Sequence, residues 1–379
     1  MWDRRFLRNI DYYMLFSVLG LVMIGLIMVY SATRANTALN GGDSFLFLKK
    51  QLLSVVIGLI GMAVIFFLDY RLPDAAYHVL YGFNFFMLLL VLFVGSEANG
   101  AKSWINLGFM SFQPAEFAKL LVILTLSKYL AEKESFSSIL DLIPPFIHIL
   151  PSLVLILLQP DFGTALVFIF FFFAMVYMAG AKGRHLLLVI FTGITVIALI
   201  FVCNHYFGFP SVPLKDYQIK RLTSFINPDA DPRGAGYNVR QAIIAVGSGR
   251  FFGKGLFQNT QGRLGFLPEF HTDFIFAVFC EEWGFLGAFV LLMLYLLFIW
   301  RSLKVVQQAK ERHGSLIATG IMTMFLFHIF ENIGMNIGIM PITGIPLPFI
   351  SSGGSSMMTS LFAVGYLENI WARRQKILF

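Results

Sequence analysis

Apolar runs of about 20 residues, parted by short polar turns, recur along this chain, and each can cross the ~30 Å hydrocarbon core of a bilayer as a helix. They predict spans at 12–31, 52–69, 76–95, 110–130, 141–158, 163–180, 185–203, 272–300, 315–338 and 348–370. One connection, roughly 204–271, is far longer than the others. The predicted fold class is therefore an all-α polytopic membrane protein: ten transmembrane helices in a single membrane domain, 1–379, with a large structured extracytoplasmic loop between helices seven and eight. Composition agrees, since only 13% of residues are charged, against about 25% in soluble domains.

Charge distribution sets the predicted orientation. One set of loops holds Arg4, Arg5, Arg8, Arg71, Lys128, Lys133, Lys182, Arg184, Arg301, Lys304, Lys310, Arg312, Arg373, Arg374 and Lys376, while the opposite short loops hold Arg34, Lys49, Lys50 and Lys102. Both termini are expected on the cytoplasmic side. Arg4, Arg5 and Arg8 mimic the start of a signal peptide, but the run after them is too long and no small-x-small cleavage site follows, so it reads as a retained first span. The net charge of +7 is a topology signal carried by loops, and no nucleic-acid partner is expected. Two isolated cysteines, Cys203 and Cys280, make neither a disulfide framework nor a metal site.

The long outer loop carries structure of its own. Tyr217–Ile226 places Ile219, Leu222 and Ile226 on one face of a short basic helix suited to the headgroup plane. Turn chemistry follows in 227–234, a second short helix in 239–246, and a cation-bearing turn at Gly253-Lys-Gly255. The loop reads as a lid whose cations include Arg221, Arg240 and Lys254; with Lys102 they suit a pyrophosphate-bearing ligand, while some of the outward charges merely meet anionic lipid headgroups.

Ionisable groups beside and inside spans are costly, which makes them functional candidates. The lid runs into span eight through Glu269, His271 and Asp273, and two more carboxylates, Glu281 and Glu282, follow about two turns into that helix. A lone Asp at a helix start more often caps the helix. The clustering of Glu269, His271 and Asp273 next to a basic lid makes the case for a general base, with His271 its weaker member, able simply to hydrogen-bond a loop carbonyl. Glu116 and Lys119 share a face of span four, as a self-satisfied ion pair, a phosphate-facing pair, or both. Asp161 opens span six, where capping is the simpler role. His328, Glu331 and Asn332 read as a structural network, with Gly334-x-x-x-Gly338 permitting close helix approach beside it. The hydroxyl-rich start of span ten, Pro348 to Ser356, can line a polar headgroup site through Ser355 or only kink the helix. Gln113-Pro-Ala-Glu-Phe117 and Gln159-Pro-Asp-Phe-Gly163 echo one another, each with Pro at a helix start and an acid in the first turn.

Several of these segments together resemble the SEDS family (shape, elongation, division and sporulation). They are Phe112-Gln-Pro-Ala-Glu-Phe-Ala-Lys119, Gln159-Pro-Asp-Phe-Gly-Thr-Ala165, Asn227-Pro-Asp-Ala-Asp-Pro-Arg-Gly-Ala-Gly-Tyr237, Ala245-Val-Gly-Ser-Gly249, Leu267-Pro-Glu-Phe-His-Thr-Asp-Phe-Ile-Phe-Ala-Val278 and 346–355. Gly253-Lys-Gly255 and Asn259-Thr-Gln261 resemble its elongation branch more than its division branch. The resemblance implies a peptidoglycan glycosyltransferase of the cytoplasmic (inner) membrane that polymerises lipid II on the outer face. It implies Asp273 as the essential aspartate, and Glu116 with Lys119 as a characteristic charged pair. It also implies as partners a class B penicillin-binding protein that supplies transpeptidase activity, and other membrane proteins of the elongation complex. Lys102 and Phe270 depart from the pattern, standing where relatives often carry Arg and a polar residue. The pyrophosphate leaving group needs Lys, Arg or a divalent ion such as Mg2+ to meet its charge; no other cofactor is expected. The competing reading is a lipid II flippase, with Glu116, Lys119, Glu281 and Glu331 lining a pathway; against it, the sequence lacks paired broken helices in symmetric halves.

Overall fold

The structure is a computed structural model and describes residues 9–34, 41–98, 101–106, 108, 111–207, 225, 231 and 234–374. Its helices are α1 (Tyr12–Thr33), α2 (Leu46–Phe67), α3 (Tyr77–Val94), α4 (Pro114–Glu132), α5 (Ile143–Leu158), α6 (Phe162–Met178), α7 (Gly183–Phe207), α8 (Ala235–Ser248), α9 (Ile275–Gln308), α10 (Arg312–Asn336) and α11 (Gly354–Ala372), with a single turn at Leu72–Ala75. A helix stands at each position where the sequence predicts a span. Among the described residues, six segments are long and apolar enough to cross a membrane: α1, α2, α3, Ile139–Leu158, α9 and α10.

The helices outside that set include α4, α6 and α11. α4 and α11 are richer in polar residues because most of their surface faces protein, with Ala115, Glu116, Lys119 and Ser127 of α4 and Ser355, Thr359 and Glu368 of α11 all buried. Interior helices need no uniformly apolar exterior. The lipid-type surface belongs to helices such as α2 and α3, which expose Val56, Ile60, Phe86 and Phe93. α11 packs along α2 at glycine contacts: a Cβ at Gly61 would lie 2.0 Å from the Phe362 ring, and one at Gly365 would lie 2.9 Å from the Met62 carbonyl. Small residues let membrane helices approach to this depth.

Two sequence expectations are corrected. The fold is not purely helical: Ser96–Ala98, Ala101–Asn106 and Ser111–Phe112 form a three-stranded antiparallel sheet, β1-β2-β3. Span four therefore starts later than predicted, at Pro114, whose fixed φ suits a first helical turn. Gly334 and Gly338 also do not make a helix–helix seam. α10 ends at Asn336, and Gly338 lies beyond it at φ +78°, where a Cβ would be 2.7 Å from Ile243 of α8. The lid's second short helix is present as α8, longer than expected by nearly two turns. The predicted basic helix at 217–226 lies outside the described residues apart from Phe225.

Candidate active site

Asp273 sits in a tight turn before α9. The amides of Thr272 and Phe274 both donate to the Glu269 carbonyl at 3.2 Å, and the Thr272 hydroxyl donates to the Glu269 carboxylate at 3.1 Å. Glu269 takes φ +49°, a left-handed backbone that costs a non-glycine residue about 1 kcal/mol or more and persists only where its surroundings enforce it. α9 begins at Ile275, and Phe274, not Asp273, stands at its N-cap position.

What fixes Asp273 comes from α10. Its carbonyl accepts from Asn332 Nδ2 at 2.9 Å and from Asn336 Nδ2 at 3.1 Å. Asn332 also donates to the Ile345 carbonyl at 2.8 Å, and Asn336 Oδ1 accepts from the Ala277 amide at 3.0 Å. Both asparagines are fully buried, so these bonds are shielded from competing water. Asp273 itself is only half-buried. Beside it, the His271 ring meets Phe47 of α2 edge-on at 5.1 Å. Burial pulls the His271 pKa below its ordinary value, with Glu269 opposing, and its Nδ1 has no hydrogen-bond partner.

The segment Ser351–Ser355 ties this turn to other helix starts. Ser351 Oγ donates to the Thr272 carbonyl at 2.7 Å and the Ser352 amide to the His271 carbonyl at 3.0 Å. Four residues later, Ser355 Oγ accepts from the Gln113 amide at 2.9 Å. Gln113 Nε2 then donates to Asp161 at 3.3 Å, while Asp161 caps α6 through the Thr164 amide at 2.9 Å and its hydroxyl at 2.8 Å. The two echoed motifs of the sequence thus meet in space, side chain to side chain. The starts of α4, α6, α9 and α11 are joined through this network; only α6 is capped by the side chain of its own N-cap residue, and in α9 the Ala277 amide is taken by Asn336. Uncapped starts leave free amides and the positive ends of helix dipoles, an arrangement suited to an anion.

The deeper charges are paired. Lys119 Nζ donates to Glu116 Oε1 at 2.8 Å and lies 2.9 Å from His328 Nε2. His328 Nδ1 is 2.6 Å from the Met324 carbonyl, which assigns the proton to Nδ1 and leaves Nε2 as acceptor from the ammonium. Lys119 is 1% exposed. On the other side of the bundle, α9 is broken at Gly284, at φ +65° and ψ −164°. The chain 250–255 is spliced into the break: the Lys254 and Gly255 amides donate to the Glu281 and Glu282 carbonyls at 2.9 and 3.0 Å, and the Phe285 and Leu286 amides donate to the Arg250 and Phe251 carbonyls at 2.9 and 3.1 Å. Every backbone group freed by the break on these residues is used again, as a membrane helix requires. The Glu281 carboxylate takes the Lys254 ammonium at 2.5 Å and the Thr260 amide at 3.0 Å. Glu282 accepts from Ser31 at 2.5 Å and from Asn259 at 2.6 Å.

The predicted residues therefore divide. Asp273, Glu269 and His271 share one turn, joined through 351–355 to Ser355, Gln113 and Asp161. Glu116 and Lys119 lie below on α4, buried with His328. Lys254 belongs to the splice, and Arg240 lies on the exposed side of α8. Arg221 and the Lys102 side chain lie outside the described residues. Sequence reasoning missed Asn336, the weight of Gln113, and Gln51 of α2, whose side-chain amide donates to the Ser351 carbonyl and accepts from the Gly353 amide, both at 3.2 Å. Asn332 and Asn336 four residues apart on an apolar helix were the available signal. Among the described residues, no group of three or more His, Cys, Asp or Glu is arranged to hold a metal ion.

Comparison with known proteins adds a family. A family model described as cell cycle protein, covering FtsW, RodA and SpoVE, matches residues 12–376. Stage V sporulation protein E of Bacillus subtilis (strain 168) is 39% identical over 367 residues, spanning 95% of this chain and 96% of its own. Peptidoglycan glycosyltransferase RodA of Treponema pallidum (strain Nichols) is 34% identical, over 97% of this chain and 98% of its own. A chain of a solved peptidoglycan synthase complex, described as coordinating polymerization and crosslinking, superposes with TM-score 0.79 at 32% identity, over 96% of this chain and 98% of that one. The crystal structure of Thermus thermophilus rod shape determining protein RodA gives TM-score 0.70 at 30% identity, over 99% of each chain.

Proposed function

This chain belongs to the FtsW/RodA/SpoVE family of cell cycle proteins, and from that premise we propose that it is a peptidoglycan glycosyltransferase that polymerises lipid II at the outer face of the cytoplasmic membrane. The observation that carries the reading is the double clamp on Asp273: two buried amides hold its carbonyl, while the residue stays half-buried beside a junction of helix starts. Positioning of this kind is what a general base needs.

In the proposed reaction, Asp273 takes the proton from the acceptor sugar's 4-hydroxyl as that oxygen attacks the donor's anomeric carbon. The bond from that carbon to the polyprenyl pyrophosphate breaks, and its electron pair leaves with the pyrophosphate. The developing charge meets the free amides at the starts of α4 and α11, with Arg240, Arg221 and Lys102 as the cations assigned to it. Glu269 and His271 hold the turn, and Asp161 and Ser355 hold the helix starts in register. Lys119 and Lys254 act through structure in this scheme, since each ammonium already neutralises a buried carboxylate.

Ten spans with both termini cytoplasmic form the proposed topology, and a class B penicillin-binding protein is the proposed partner along with other elongation-complex membrane proteins. The superposition on a chain from a peptidoglycan synthase complex supports that pairing. Elongation is the proposed branch, resting on Gly253-Lys-Gly255 and Asn259-Thr-Gln261. A flippase pathway draws less support, because Lys119, Glu281 and Glu331 are closed into buried contacts with Glu116, Lys254 and Thr343.

Purified protein reconstituted with a transpeptidase partner and given lipid II should yield a ladder of glycan polymer. Translocation of labelled lipid II in proteoliposomes with no polymer formed under any condition would overturn the enzymatic reading in favour of transport.

A further inference from the structure

A cavity lies at the Thr33 end of α1. It measures about 340 Å³ and is lined by Tyr30, Ser31, Ala32, Arg34, Ser44, Phe257, Asn259 and Arg263. Among the described residues two guanidinium groups line it and no carboxylate does, so its chemistry selects an anion. Its aromatic wall is ordered: Tyr30 stacks on Phe45 at 5.1 Å and meets Phe257 edge-on at 5.9 Å, and the Arg34 guanidinium lies over the Phe257 ring at 4.1 Å.

The floor of the cavity asks for more than an anion. Asn259 is 3% exposed and spends its amide on Glu282 at 2.6 Å. Its Oδ1 has no hydrogen-bond partner, and neither does Oε2 of Glu282 behind it. Buried acceptors left unpaired are rare and costly, so the fitting ligand brings a hydrogen donor along with its negative charge. A phosphate ester bearing a hydroxyl has both.

Position favours a lipid as the source. The cavity closes the end of a membrane-length helix, where arginine and aromatic side chains meet headgroups. Phe45, which stacks on Tyr30, is the N-cap of α2, and about two turns along that helix Leu52, Leu53 and Val56 expose apolar surface for acyl chains.

The geometry points to an accessory site for a hydroxyl-bearing phosphate ester, the headgroup of an anionic phospholipid, held by Arg34 and Arg263 with its hydroxyl donating to Asn259. This assignment stands apart from the glycosyltransferase reading and needs no turnover to test. The full chain is reconstituted in phosphatidylcholine vesicles doped with phosphatidylglycerol, and retained lipid is counted by native mass spectrometry. In parallel, its melting temperature is followed against added phosphatidylglycerol and against soluble glycerol 3-phosphate. Wild type should retain phosphatidylglycerol, and R34Q/R263Q should bind it about tenfold or more weakly, on the order expected for two lost cation–headgroup contacts. R263Q alone, removing an exposed side chain that leaves the fold intact, should weaken binding severalfold and keeps the test valid if the double variant misfolds. Arginine-dependent stabilisation by glycerol 3-phosphate without lipid retention would keep the ligand chemistry and assign it to a soluble source. Equal retention of phosphatidylglycerol by wild type and both variants would overturn the site.

Discussion

Asn332 and Asn336 stand one turn apart on α10, and both amides close on one carbonyl, that of Asp273. Asn336→Ala removes one of the two donors and also one of the two acceptors of the Ala277 amide, which keeps the Phe274 carbonyl at 3.1 Å. Each lost partner of a buried group costs about 1–3 kcal/mol, and displacement of a reacting group by about 1 Å costs up to about a hundredfold in rate. The variant should therefore lose polymerisation rate by that factor while remaining folded in a thermal melt. Lys119 behaves differently. Lys119→Met leaves the buried Glu116 carboxylate without its counter-ion and should destabilise by about 3–5 kcal/mol. Adding Glu116→Gln should recover much of that loss in a melting cycle, because the two positions share one interaction. His271 supplies a pH signature. Burial lowers its pKa from 6.5, so its share of stability is present above 6.5 and is lost as pH falls through the lowered folded value. Melting temperature should drop on acidification across that window, with a smaller drop in His271→Gln.

Among the elements, the broken helix α9 makes the sharpest prediction. A Cβ at Gly284 would lie 2.2 Å from the Gly253 amide, at a backbone φ of +65°, and one at Gly249 would lie 1.9 Å from the Cys280 carbonyl. Ala at either position should eject the spliced strand and unpair Glu281 from Lys254, visible as a large loss of melting temperature or of monodisperse protein. The break shows where the sequence stops being legible. Hydropathy located each membrane-length helix, and Pro114 and Asp161 marked two helix starts, because these signals are local. Local sequence does not reveal the break at Gly284, since the apolar run resumes directly after it and the groups that repair the break arrive from residues 250–255. For the same reason Glu281 was visible as a costly buried acid, while its partner Lys254, 27 positions earlier, was assigned to the lid's ligand-binding set. The β1-β2-β3 sheet was missed because its strands are too short for a repeating pattern. In the site, Asp273, Asp161 and Ser355 stood out by residue type and motif, but Asn336 did not: its role depends on a carbonyl 63 positions away.

Across the whole molecule, polar anchors hold the two ends of the bundle. At one end Asp11 accepts from Arg301 at 2.6 Å and donates its amide to Glu368 at 3.0 Å, joining α1, α9 and α11. At the other end Glu282, Ser31 and Asn259 join α9, α1 and the spliced loop. Single-cysteine labelling checks the proposed topology. With Cys203 and Cys280 replaced, cysteine at position 263 should react with an impermeant reagent from outside, and cysteine at position 310 only after the membrane is opened. The same label pattern at both positions would reject that topology. Between these anchors, the central claim is that this bundle exists to hold one carboxylate at an outer-face junction of helix starts. The most direct measurement is lipid II polymerisation by wild type and Asp273→Asn, each reconstituted with its transpeptidase partner and matched for melting temperature. The account predicts polymer from wild type and none from the Asn variant at equal stability. Polymer from both at comparable rates would contradict it.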